Sequence, residues 1–251
     1  MSKALIVLVA LSVIGCNRAP LQGDRSANPQ ASFAVEPYNS FDSPVERNRK
    51  IYKLVIEGEG ISLVESQNLL FAVRLLPKPM LEHLPVFEIC RDSQHMKMEY
   101  RGKPWEAAGH CHTEGDGKIC LHGSYPIRSD VVWHEMMHSF DYYLESKGQS
   151  RIEAWRKIAG DVYEEGQATD HLYGSFRADG LLDEYSRCNA WEDRATFFAT
   201  CKRHITSVAS SLLDGNDYLK RDPRYLAKLR ELKNEGLFSE KEYQVLEPLF
   251  K

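Results

Sequence analysis

The run His134-Glu135-Met136-Met137-His138 sets two imidazoles and a carboxylate at a spacing that metal chemistry uses. On an α-helix a four-residue step turns a side chain by only about 40°, so His134 and His138 project from one face and can share an ion. Glu135 lies roughly 100° round from His134, too far to join them but close enough to take a proton from a water at that ion. Asp141 returns to the histidine face, where it can accept an N–H from a ligand ring. A catalytic zinc commonly takes three protein ligands and leaves a position for water, so a third donor must come from elsewhere.

The best-placed acid downstream is Glu192, within Tyr185-Ser186-Arg187-Cys188-Asn189-Ala190-Trp191-Glu192-Asp193-Arg194-Ala195-Thr196. Ala195 and Ala199 share its helical face, and their small side chains permit close approach by a second helix. Asn189 and Glu192 also have the form of a helix cap with its N3 carboxylate, and Asp193, Asp183, Glu184 and His171 are rival donors. Spacing leaves that choice open.

H-E-x-x-H followed further along by Y-x-R-x-N-x-x-E-x-x-A resembles the glutamate-zincin metallopeptidases of the lethal-factor type. The resemblance covers residues 129–145 and 185–199. It implies a zincin-like domain with one Zn2+ held by His134, His138 and Glu192, Glu135 as general base, and the Tyr185 hydroxyl directed at the scissile carbonyl. The implied substrate is a peptide or unstructured polypeptide. Two departures stand out: Thr196 where the family often carries a second acidic residue, and Met137 where it often has glycine. A hydroxyl at 196 can still hydrogen-bond, but the charge is lost. The competing readings are a catalytically silent zincin-fold binding lipoprotein, which Thr196 favours, and a structural envelope lipoprotein with a coincidental motif.

Elements must position these groups. Ser129 as N-cap, Asp130 in the first turn and Lys147-Gly148 as a stop delimit the histidine helix, whose apolar positions 133, 136, 137, 140 and 144 have helical period. Ser43-Pro44-Val45-Glu46 has the form of a capping box and predicts a helix to about Val55. Further helices are expected over 62–76, 151–163, 189–213, 224–233 and 239–249, and strands over 86–90 and 95–100. A hairpin is expected over 107–123, turning at Gly115-Asp116-Gly117, with the arm Lys118–His122 as an exposed edge to which an extended peptide could pair. With its strands early and helices late, the chain reads as α+β.

The 251 residues suffice for one domain with accessories, and a net charge of −4 carries no basic footprint for nucleic acid. Lys3 followed by the apolar run Ala4–Ile14 reads as an export signal, and Val13-Ile14-Gly15-Cys16 resembles the bacterial lipobox. That resemblance implies a signal peptide over 1–15, a lipidated Cys16, membrane attachment through the lipid, and residence in the cell envelope, with Asn17 leaning toward the outer membrane. Residues 16–43, with Pro20, Pro29 and Pro37 and no apolar period, read as a tether, and 44–251 as the catalytic domain. In an oxidising compartment the hairpin makes Cys111 with Cys120 the expected disulfide. His110, Cys111, His112, Cys120 and His122 could otherwise bind a second metal, although their intervals do not match the short steps of structural zinc sites.

Overall fold

The computed structural model describes residues 30–35, 52–58, 61–91, 97–100, 103–106, 108–112, 117–123, 126–164, 179–183, 185–206, 213 and 217–251. The signal segment, Cys16, the turn residues Gly115 and Asp116, His171 and Glu184 lie outside them. The class is α+β: a small mixed sheet and eight helices among the described residues.

The main sheet has the order β1-β2-β3-β7-β6. Its strands are β1 (Gln30–Val35), β2 (Tyr52–Gly58), β3 (Val86–Cys90), β7 (Ile119–His122) and β6 (Gly109–Cys111). The β2–β3 and β3–β7 pairs are parallel, and β1 and β6 close the two edges antiparallel. β4 (Lys97–Tyr100) and β5 (Lys103–Glu106) form a separate antiparallel pair.

Three expectations are corrected here. Tyr52–Gly58 is a strand, whereas the capping-box form at 43–46 predicted helix to about Val55. Tyr52, Leu54 and Ile56 are buried in alternation with more exposed neighbours, so period two prevails at this end of the segment. Gln30–Val35, inside the expected tether, pairs with that strand along its whole length, so ordered structure begins well before residue 44. Lys118–His122 is no edge either, because β7 lies between β3 and β6 and the edge is β6.

The helices follow the local signals more closely. α1 (Leu63–Arg74) opens on a true capping box, Ser62 Oγ accepting the Glu65 N–H at 3.1 Å and Glu65 accepting the Ser62 N–H at 2.7 Å. A short α2 (Lys78–Leu81) follows Pro77. α3 (Ser129–Ser146) is the histidine helix; Arg128 holds the cap position, its guanidinium turned to Asp130, which places Ser129 inside the helix and not at its cap. Gly148, at φ 69°, ends it. α4 (Ile152–Ala159) stops at Gly160, and α5 (Ala190–Thr206) follows a 3₁₀ turn at Tyr185–Arg187. α6 (Tyr218–Arg221), α7 (Pro223–Asn234) and α8 (Glu240–Leu246), the last with a capping box on Ser239, complete the chain.

The core lies between one face of the sheet, presenting Leu54, Ile56, Phe87, Ile89, Ile119 and Leu121, and the helices, where Trp133, Met136, Met137, Phe197 and Phe198 are buried. Trp133 donates its indole N–H to the Ala72 carbonyl at 2.9 Å and so fixes α3 on α1. None of the described helices is long and apolar enough to cross a membrane.

Candidate metal centre

α3 and α5 pack against each other, and the contact brings His134, His138 and Glu192 together. His134 Nε2 lies 3.0 Å from Glu192 Oε2, His138 Nε2 3.2 Å from the same oxygen, and the two Nε2 atoms 3.1 Å apart. Ligand atoms held tetrahedrally at zinc–ligand distances near 2.1 Å stand about 3.4 Å apart, so three donors already in a near-equilateral triangle fit one such ion with small adjustment.

Glu192 serves the triangle, while the cap is made without its carboxylate. Asn189 Oδ1 accepts the Glu192 backbone N–H at 2.9 Å, and the Glu192 side chain turns to the imidazoles. Two rival acids, Asp193 and Asp183, have partners of their own. Asp193 Oδ2 accepts from Trp155 Nε1 at 2.7 Å, Tyr163 Oη at 2.7 Å and Lys228 Nζ at 2.6 Å, while Asp183 accepts from the Ser186 N–H and hydroxyl at 2.8 and 2.7 Å.

Electrostatics in the triangle follow from burial and proximity. Burial raises the Glu192 carboxyl pKa, but the two imidazoles outweigh it and hold the group well below its ordinary range. For His138, burial pushes down, yet Glu192, Glu135 and Asp141 prevail and raise it to about 9. His138 Nδ1 is buried with no hydrogen-bond partner among the described residues. The carboxylate expected there, Asp141, is instead held by Arg194 Nε at 3.0 and 3.1 Å, which corrects its assignment as the group that orients a ligand ring. Arg194 is fully buried and also pairs with Glu235, so a guanidinium with several donors has captured the acid.

Glu135 is buried, and desolvation raises its pKa against the lowering influence of His134 and His138. It accepts a bond from the Cys111 backbone N–H. β6 comes this close only because residue 109 is glycine: a Cβ there would stand 2.8 Å from Glu135 Cγ and 2.8 Å from Val131 Cγ1. Tyr185 sits beside the triangle, its ring centroid 6.0 Å from that of His134. Burial, then the Glu192 and Glu135 charges, push its phenol far above the ordinary value, so it remains an O–H donor at neutral pH. Thr196 is buried one turn along α5 from Glu192.

Cys111 and Cys120 are thiols, not a disulfide. In the β6–β7 register Cys111 faces Ile119 and Cys120 faces His110, which sends the two sulfurs to opposite sides of the sheet. Sequence spacing did not reveal Gly109, Arg194 or Lys228. Their only local signal is a charged residue beside apolar neighbours in a helix, or a glycine next to His110.

Comparison of the chain with protein-family models, with curated proteins and with solved structures finds no match to any of them.

Proposed function

We propose that this chain is a zincin-like metallopeptidase that hydrolyses peptide bonds with Glu135 as the proton carrier. The observation that carries the reading is the triangle of His134 Nε2, His138 Nε2 and Glu192 Oε2 with edges of 3.0–3.2 Å, beside a buried carboxylate that takes no part in it. Those three residues would hold the metal, and zinc when bound would supply a Lewis acid that acidifies water and polarises a carbonyl. Glu135, its pKa raised by burial, takes the proton from water and returns it to the departing amine. Tyr185, kept protonated, donates its hydroxyl to the developing oxyanion.

β6 offers a template for the substrate. His122 N–H to Ala108 O at 3.0 Å and His112 N–H to Lys118 O at 2.8 Å turn the even-numbered backbone groups of this segment toward β7. The backbone of Gly109 therefore faces outward at the sheet edge, next to Glu135, where an extended peptide can add as a further strand. The export signal and lipobox-like Cys16 support a location at the bacterial cell envelope in the same reading, with peptides or unstructured polypeptides as substrates.

The test is Glu135→Gln. It should keep the fold and a full equivalent of zinc at the histidines while peptide hydrolysis falls about 10³-fold. Unchanged turnover in a folded, zinc-loaded variant overturns the proposal, and full zinc binding without hydrolysis in the wild type favours the silent binding protein.

A further inference from the structure

The sheet carries a second convergence of metal-ligating atoms on the face turned away from α3. Strand alternation sends Phe87, Ile89, Ile119 and Leu121 into the core and Glu88, Cys90, Cys120 and His122 to the other side. The register sets Glu88 beside Cys120, and His112, one residue past β6, reaches Cys120. Its Nε2 is 3.1 Å from Cys120 Sγ, and Cys120 Sγ is 3.6 Å from Glu88 Oε2. One ligand atom each from Glu88, Cys90 and Cys120 lies within 4.8 Å of the others.

We infer that Cys90, Cys120, His112 and Glu88 form a binding site for a thiophilic divalent cation such as zinc, separate from the histidine helix. Two sulfurs, one imidazole nitrogen and a carboxylate oxygen are the donor types such an ion takes. Ligands on a zinc–sulfur site stand about 3.8 Å apart, inside the 4.8 Å that encloses the Glu88, Cys90 and Cys120 donors. The sequence intervals look wrong for a structural site only because the donors come from three adjacent strand segments and not from one loop. Lys118, 3.4 Å from Glu88 Oε2, also pairs with Glu57 at 3.0 Å and keeps that partner when Glu88 turns to the metal.

Cobalt titration of the full, reduced chain tests this, because the His134 centre contains no sulfur. The expected result is a sulfur-to-cobalt charge-transfer band that disappears in Cys90→Ser/Cys120→Ser, together with one of two zinc equivalents, and persists in His134→Ala/His138→Ala. Absence of the band in the reduced wild type overturns the site, as does its survival in the double serine variant. Peptide mapping of protein isolated without reductant that finds Cys90 joined to Cys120 overturns it as well.

Discussion

At the scale of single residues, the candidate centre is a place where charges have been set against each other. The elevation of His138 to about 9 rests on Glu192, Glu135 and Asp141 overcoming burial. In metal-free protein the His138 imidazole should therefore titrate near 9 by NMR, and Glu192→Gln should bring it down toward its ordinary value. The sign for stability follows: a histidine whose folded value exceeds its unfolded one contributes fully below about pH 6.5 and loses that contribution as pH rises through about 9. Glu192, depressed on folding, behaves oppositely, contributing above its ordinary 4.5 and losing that on acidification. Tyr185→Phe should lower kcat for peptide hydrolysis about 10²-fold with little change in KM, since its hydroxyl is assigned only to the oxyanion. The two histidines were legible because helical period alone puts them on one stripe, whereas Glu192 was one of several acids that spacing left open, and what separates it from them is the packing of α5 on α3. Asp141 was misread because its captor, Arg194, lies on another helix, and no local pattern announces that partnership.

Elements supply what residue spacing cannot. The close pass of β6 over α3 depends on Gly109, and Gly109→Ala should push Glu135 aside. Overpacking of this kind costs about 1–3 kcal/mol, measurable by denaturant titration, and the expected loss of hydrolysis exceeds what that destabilisation explains. Helices α1, α3, α5, α7 and α8 could be anticipated from caps and stripes, because those signals are local. Sheet order could not: that β7 is interior and β6 the edge follows from which strands meet across long separations, and the same ignorance made Cys111 and Cys120 look like partners. At 52–58 a nearby capping form outvoted the alternation of Tyr52, Leu54 and Ile56, and the strand was missed.

Across the whole molecule, buried charge ties the helices into one body. Asp141 on α3 meets Arg194 on α5, which meets Glu235 at the end of α7, while Asp193 meets Lys228 on α7 and Trp155 on α4. Lys228→Met should cost about 3–5 kcal/mol in thermal or chemical unfolding, because it strands the Asp193 charge in the interior. The α+β class was readable from the order of elements, but this ionic web was not, being assembled from residues that are far apart along the chain. Its consequence is mechanical. Glu192, Asp193 and Arg194 are successive residues, about 100° apart around the axis, each gripped by a different neighbour. α5 can neither roll nor slide without breaking all three grips at once, so the carboxylate facing the imidazoles inherits the rigidity of the protein interior.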